Sequence, residues 1–321
     1  KLTCPAFQDF PRNAWYVVAC SPEVKEEPLA RRVLNTPVVL FRDENGQTVA
    51  LFDRCPHRGL PLSMGRLKAG MVECRYHGFT FGGDGACRII PSQEAVSAAI
   101  GVPSYPLVER YHWLWTWVGD PARADPSLIP DCSVLDSPDY SARTGAFLPF
   151  DCNAMLLLEN LLDQTHISFL HPGAFDAGQA AAAPYRVVFE ETTIRITREI
   201  SNDQASLGLR FKFDAGAKLD RTLMSETFAP GLNVIHSMFR DPAHPELGER
   251  GSVSFFPITP VGPRACYHFS ATANSRAGDP SLPAGYQEVM PTLAGSLGPL
   301  DQDKEALEAV QRLFDEIGPE A

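Results

Sequence analysis

A chain of 321 residues, 44% hydrophobic and 21% charged, is globular and long enough to bury a core in about two domains. Its 28 basic residues against 39 acidic ones leave a formal charge of −11, which argues against a phosphate-binding surface of clustered Lys and Arg and against nucleic acid as a partner. Runs of about 18 apolar residues and a charged-then-apolar leader are both missing, so a soluble cytoplasmic protein with no membrane partner is expected, its eight cysteines reduced thiols or metal ligands.

Two β-rich runs, Val38 to Arg42 and Thr48 to Asp53, flank the turn residues Asp43, Glu44, Asn45 and Gly46 and predict a hairpin leading directly to Cys55. After His77, the run Gly82, Gly83, Asp84, Gly85 predicts a second tight turn. Cys55 and His57 on one arm, and Cys74 and His77 on the other, therefore sit on loop tips, with Gly59 and Gly78 behind them and sixteen residues between His57 and Cys74. A zinc finger places a Cys pair on one arm and a His pair on the other, whereas here each arm carries one of each. That pairing suits a Rieske [2Fe-2S] centre, in which two Cys hold one iron and two His the other. Cys4, Cys20, Cys87, Cys132, Cys152 and Cys266 show no paired spacing and read as inert buried thiols.

The stretch "GDPARADPSLIP" follows the aromatic strand "YHWLWTWV" and predicts a boundary between domains of residues 1–122 and 123–321. In "DCNAMLLLENLLDQTHISFLHPG", Met155, Leu158, Leu161 and Leu162 sit at helical spacing, while Glu159, Asp163 and His166 form a polar stripe. Burying such a stripe is costly unless it is paired or binds metal. Pro172 disfavours helical backbone at His171 and Gly173 permits a turn, so the last turn can unwind and bring His171 beside His166. The small residues from Pro172 to Pro184, directly after His171, would suit a mobile lid over the site or, equally, a disordered surface loop.

Farther along, Asn233, His236, Phe256 and His268 lie on runs that read as strands facing the long helix, and are candidate substrate-lining residues. The C-terminal "DQDKEALEAVQRLFDEIG" predicts an amphipathic helix with Ala306, Leu307, Val310, Leu313, Phe314 and Ile317 on its apolar face. One turn back, that face reaches Asp303, whereas Asp301 and Glu305 lie about 200° away. Two histidines and a carboxylate make the facial triad of non-haem Fe(II) sites, so Asp303 is the expected partner of His166 and His171.

Taken together, "FPRNAWYVVAC", Cys55-x-His57 with Cys74-x-x-His77, "ENLLDQTHISFLH" and "DKEALEAVQ" span essentially the whole chain. They resemble the oxygenase components of Rieske non-haem iron oxygenases, more narrowly the vanillate and dicamba O-demethylase group of aromatic monooxygenases. Phe79 departs from the pattern, since many relatives have Trp there. The resemblance implies an α+β fold: an N-terminal all-β Rieske domain, then a helix-grip catalytic domain in which an antiparallel sheet wraps a long helix. It implies a [2Fe-2S] cluster on Cys55, His57, Cys74 and His77, and a mononuclear Fe(II) on His166, His171 and Asp303. It also implies a head-to-tail homotrimer in which Asp163 bridges His77 of one subunit to His166 of the next. Glu159 and Asn160 of the same motif are further candidate catalytic residues.

The implied partners are an NAD(P)H-dependent reductase, with or without a separate ferredoxin, together with O2 and a small aromatic substrate. The implied reaction hydroxylates a methoxy or N-methyl carbon, and the product collapses with release of formaldehyde. Ring or methyl hydroxylation, a Rieske electron carrier without mononuclear iron, and a zinc-stabilised binding protein stay open as alternatives.

Overall fold

The computed structural model describes residues 10–172, 174–175, 178–204, 213, 217–277, 281–288, 292–293 and 298–318. The described residues fall into two compact units that divide between Ile129 and Pro130, seven residues beyond the expected 122/123. The Pro- and Asp-rich stretch belongs to the first unit because it is not slack. Asp120 and Asp125 accept from Ala122 N and Ser127 N at 3.0 and 2.9 Å and start two 3-10 turns, and Trp15 Nε1 donates to the Asp125 carbonyl at 2.8 Å.

The first unit is all β: β1 (Ala14–Cys20), β2 (Leu29–Val33), β3 (Thr36–Arg42), β4 (Thr48–Phe52), β5 (Arg66–Lys68), β6 (Met71–Glu73), β7 (Thr80–Phe81), β8 (Cys87–Ile89), β9 (Leu107–Arg110) and β10 (Trp113–Val118). They form antiparallel sheets ordered β1-β10-β9, β2-β3-β4 and β5-β6-β7-β8. The expected hairpin is β3–β4, with Arg42 opposite Thr48 and Asp43 Oδ1 accepting from both Asn45 N and Gln47 N at 2.9 Å. Val39, Phe41, Leu51, Leu62 and Phe81 pack with Cys55 and Cys74 in one buried cluster, which puts both sulfurs at the edge of an apolar core.

The second unit adds β11 (Tyr140–Phe150), α1 (Ala154–Leu162), α2 (Ile167–Leu170), β12 (Tyr185–Phe189), β13 (Thr193–Gln204), β14 (Lys218–Phe228), β15 (Leu232–Arg240), β16 (Arg250–Gly262), β17 (Ala265–Ser275), β18 (Gly285–Gln287), β19 (Thr292–Leu293) and α3 (Pro299–Ile317). One large sheet runs β12-β13-β14-β15-β16-β17-β11-β18, with β19 also on β11. Its pairs are antiparallel except that β18 and β19 run parallel to β11, so the sheet is mixed at that end. Helix α1 lies against it: Ser225 Oγ of β14 donates to the Leu161 carbonyl at 2.9 Å, and Ala154, Leu157, Leu158 and Leu161 are buried. Asn153 caps the helix, its Oδ1 accepting from Met155 N at 2.9 Å.

Two expectations about helices change. The stripe Glu159, Asp163, His166 does not lie on one helix, because α1 stops at Leu162 and Asp163 is extended (φ −86°, ψ 96°). Asp163 Oδ1 accepts from Thr165 N and Thr165 Oγ1 at 2.9 and 2.7 Å, capping the next 3-10 turn, Gln164–His166; a carboxylate here competes well with continued helix. On α3 the buried residues are Asp303, Leu307 and Gln311, while Val310, Leu313 and Ile317 of the expected apolar face are exposed. Gln311 is held inside because its Oε1 accepts from Asn153 N at 2.8 Å.

Candidate metal centres

The two Cys/His loops are the same turn built twice. In each, the Cys carbonyl accepts from a glycine N–H four residues on, at 2.9 Å: Gly59 to Cys55 and Gly78 to Cys74. In each, the Cys N–H then donates to the carbonyl five residues on, Leu60 or Phe79, at 2.8 Å. Both glycines have positive φ, 77° and 74°, which side chains rarely adopt. The histidine occupies the third position of one turn and the fourth of the other, so the two loops present different spacings on one backbone path.

At the tips the thiols are buried and the imidazoles exposed. The rings of His57 and His77 lie 4.5 Å apart at 65°, His57 stacks on Phe79 at 4.9 Å, and Tyr76 leans on His77 at 4.0 Å. Phe79 therefore does the packing beside His57. Burial, then the touching Cys74, pushes the Cys55 thiol up to about 11, whereas partial desolvation against its neighbours, then His77 and Arg58, lowers the exposed His57 imidazole. Two buried cysteine sulfurs in contact, with two imidazoles beside them, make the donor set of a [2Fe-2S] cluster, in which the metal takes the place of the thiol protons.

The second centre converges from far apart in the chain. Donor atoms of His166, His171 and Asp303 all lie within 4.8 Å of one another. His171 Nε2 is 3.1 Å and His166 Nε2 3.5 Å from Asp303 Oδ1. His166 Nδ1 donates to the Asp163 carbonyl at 2.6 Å, and His171 Nδ1 donates to Gln302 Oε1 at 2.7 Å. Both imidazoles thus engage Nδ1 outward, which leaves Nε2 of each ring facing the Asp303 carboxylate. Two imidazole nitrogens and one carboxylate converging on a common point are the donor set of an Fe(II) facial triad. Burial raises the Asp303 carboxyl, opposed by His171, His166 and the Asn160 amide, whose Nδ2 donates to Asp303 Oδ1 at 3.2 Å.

Residues 14–106 match the family description Rieske [2Fe-2S] domain, and residues 150–320, more than half the chain, match Vanillate O-demethylase oxygenase C-terminal domain. The chain belongs to the Rieske oxygenases of the vanillate O-demethylase type. Within that family it is 42% identical over 203 residues to the iron-sulfur subunit of a toluene-4-sulfonate monooxygenase system from Comamonas testosteroni, covering 61% of this chain and 58% of that protein. It is 45% identical over 163 residues to the oxygenase component of dicamba O-demethylase from Stenotrophomonas maltophilia, covering 50% and 48%. The chain thus spans about half the length of the curated relatives it matches. Dicamba monooxygenase bound to dicamba superposes with a TM-score of 0.82 at 30% identity, covering 95% of this chain and 89% of the other.

The remaining candidates of this Rieske oxygenase divide by the sheet's period of two. Asn233 pairs with Phe256, and Phe256 contacts His268 at 5.4 Å between centroids, so these three share a face. Asn233 Nδ2 donates to Ser225 Oγ at 2.9 Å, and Ser225 donates to Leu161, so that face is the helix side. His236, three residues from Asn233, points to the opposite face, where burial, Glu226 and Arg195 set its lowered pKa. The expectation that all four line one pocket therefore fails for His236, because strand alternation separates it from Asn233. Asn233 Oδ1 and both His268 ring nitrogens are buried without a hydrogen-bond partner among the described residues. Glu159 and Asp163 are exposed, and Asn160 is the one of the three that reaches Asp303.

Sequence reasoning passed over Gln302. Its only signal is its place one residue before Asp303, since helical periodicity turns the two side chains apart by about 100°. Cys4, and Gly173, Asp176 and Ala177 of the expected lid, lie outside the described residues.

Proposed function

We propose that this protein is the terminal oxygenase component of a monooxygenase system that hydroxylates a methyl-bearing substituent of a small aromatic compound. Hydroxylation of a methoxy or N-methyl carbon then leads to demethylation. The observation that carries the reading is the convergence of His166, His171 and Asp303, with both Nδ1 protons turned outward. Once bound, the cluster would supply single electrons and the mononuclear iron would supply O2 activation; Cys55, His57, Cys74 and His77 would hold the first, and His166, His171 and Asp303 the second.

The chain's own residues divide the remaining work. Asp163 O and Gln302 Oε1 hold the imidazole protons so that each Nε2 stays a donor to metal, and Asn160 orients the Asp303 carboxylate. The helix side of the sheet, with Phe256 for an aromatic ring and Asn233 and His268 for polar substituents, is the substrate surface. An NAD(P)H-dependent reductase would reduce the cluster, and a homotrimer would set the cluster of one chain against Asp163 and His166 of the next. A relative named for a toluene sulfonate favours a second reading, hydroxylation of an aryl methyl group without loss of carbon.

Purified protein should be brown and should contain three irons and two acid-labile sulfides per chain, the stoichiometry of one cluster plus one mononuclear site. Supplied with a reductase and O2, it should convert 4-methoxybenzoate-type compounds with stoichiometric formaldehyde. Benzylic alcohol from methylarenes without formaldehyde would select the second reading. Protein with cluster iron alone, inert toward both compound classes, would sink both.

A further inference from the structure

His171 lies past the end of α2 with φ −121° and ψ 51°, so helical hydrogen bonds no longer fix its backbone. Described residues beyond it are held from the sheet, at Phe175, Ala180 and Ala183. Ala174 N donates to the His171 carbonyl at 3.0 Å, and the Phe175 ring stands perpendicular to the His171 imidazole at 5.9 Å. The Phe175 carbonyl in turn accepts from Arg221 Nη1 of β14 at 2.8 Å.

Arg221 is 3% exposed, inside the helix-facing side of the sheet. Its Nε and Nη2 both donate to Ser237 Oγ on β15, at 3.2 and 3.0 Å, Asp203 Oδ2 of β13 lies 3.5 Å from Nη1, and Phe239 lies beneath the guanidinium. A second buried arginine shares that face: Arg198 of β13 is paired with Leu223, two residues from Arg221. Its Nη1 donates to the carbonyls of Ala180 and Ala183 at 3.2 and 2.8 Å, while Ser168 Oγ of α2 accepts from Ala181 N at 3.2 Å. Burying two guanidiniums where leucines would pack is unfavourable unless their donors are used, and the Nη1 of each arginine is spent on main-chain carbonyls that follow His171.

We propose that Arg221 is a positioning residue for His171, acting through the Phe175 carbonyl, and that Arg198 anchors the far end of the same segment. This rests on the reading of His171 as an iron ligand. Arg221→Lys keeps a charge beside Asp203, but a single ammonium cannot span Ser237 and Phe175 as the fork does.

In Arg221→Lys, Fe(II) should dissociate from the mononuclear site about tenfold faster and the ferrous–nitrosyl EPR signal should change, with cluster absorbance and thermal midpoint near wild type. Arg198→Lys should leave iron release within about twofold of wild type and make the chain at 180–184 more sensitive to limited proteolysis. Wild-type iron release and nitrosyl signal in Arg221→Lys would overturn the proposal. If that variant does not fold, Ser237→Ala removes the fork's anchor without touching a charge and is read by the same criteria. His171→Ala separates the two layers. If it loses Fe(II) while Arg221→Lys is unchanged, positioning alone is wrong; if it keeps Fe(II), the ligand reading falls and the proposal with it.

Discussion

His268 is fully buried beside Phe150 and Phe256, and burial pushes its imidazole from 6.5 down to about 4. At neutral pH it is an uncharged donor and acceptor on the helix side of the sheet, and for the proposed substrate surface a neutral ring is a better match to a polar substituent than an imidazolium in an apolar wall. The same burial has a stability consequence. Between pH 6.5 and about 4 the unfolded chain holds this proton and the folded chain does not, so folded-state stability falls as pH falls through that window, by up to about 3 kcal/mol. Replacing His268 by Asn, which does not titrate, should flatten the decline in urea midpoint between pH 7 and 4. An unchanged slope would mean that His268 takes up its proton in the folded protein at the ordinary pH.

Among the elements, the two ligand loops share hydrogen bonds but not surroundings. A Cβ at Gly78 would lie 2.7 Å from Pro91 Cγ, whereas a Cβ at Gly59 meets only the flexible Arg54 side chain, at 3.3 Å. Both positions carry the left-handed strain of about 1–2 kcal/mol for a side chain, and Gly78 alone adds a clash with a rigid ring. Gly78→Ala should therefore lose more cluster per chain than Gly59→Ala, read from visible absorbance per mole of protein; equal losses would show that φ alone governs the turns. The break after Leu162 works similarly at the other centre. Extended backbone at Asp163 lets its carbonyl reach His166 Nδ1, a contact that continued α-helix would have spent on residue 167.

For the whole molecule, the proposed trimer gives Asp163 a role its own chain does not explain, since its exposed carboxylate caps Thr165 and touches neither Nε2. Asp163→Asn keeps an acceptor for that cap, so the fold and both metal centres should persist, while turnover should fall by about a hundredfold as the charge orienting two imidazoles is lost. Cys55→Ser should abolish the cluster and, with it, activity. Co-expressed, the two inactive chains should regain activity, because some mixed trimers set an intact cluster against an unaltered Asp163. Mixed trimers that form and stay inactive would show that electrons do not cross between chains there.

What the sequence determined by itself was local. The cluster loops were legible because each is closed by bonds from a Cys to residues four and five positions on, and because glycine is the residue that takes their positive φ. Helix α1 and the placing of His171 near His166 followed from apolar spacing and Pro172. Helical geometry also picked out Asp303 among nearby acids, although what brings it to His171, across 132 residues of chain, is the docking of α3. Only the tertiary structure decided the rest. The stop at Asp163, the burial of Gln311 in place of Val310, the separation of His236 from Asn233, and the use of Gln302, Arg198 and Arg221 all depend on register and partners far away in sequence. Periodicity reports which residues share a face; it does not report which face another element covers, and that choice sets the long-range polar contacts of Gln302, Gln311, Arg198 and Arg221.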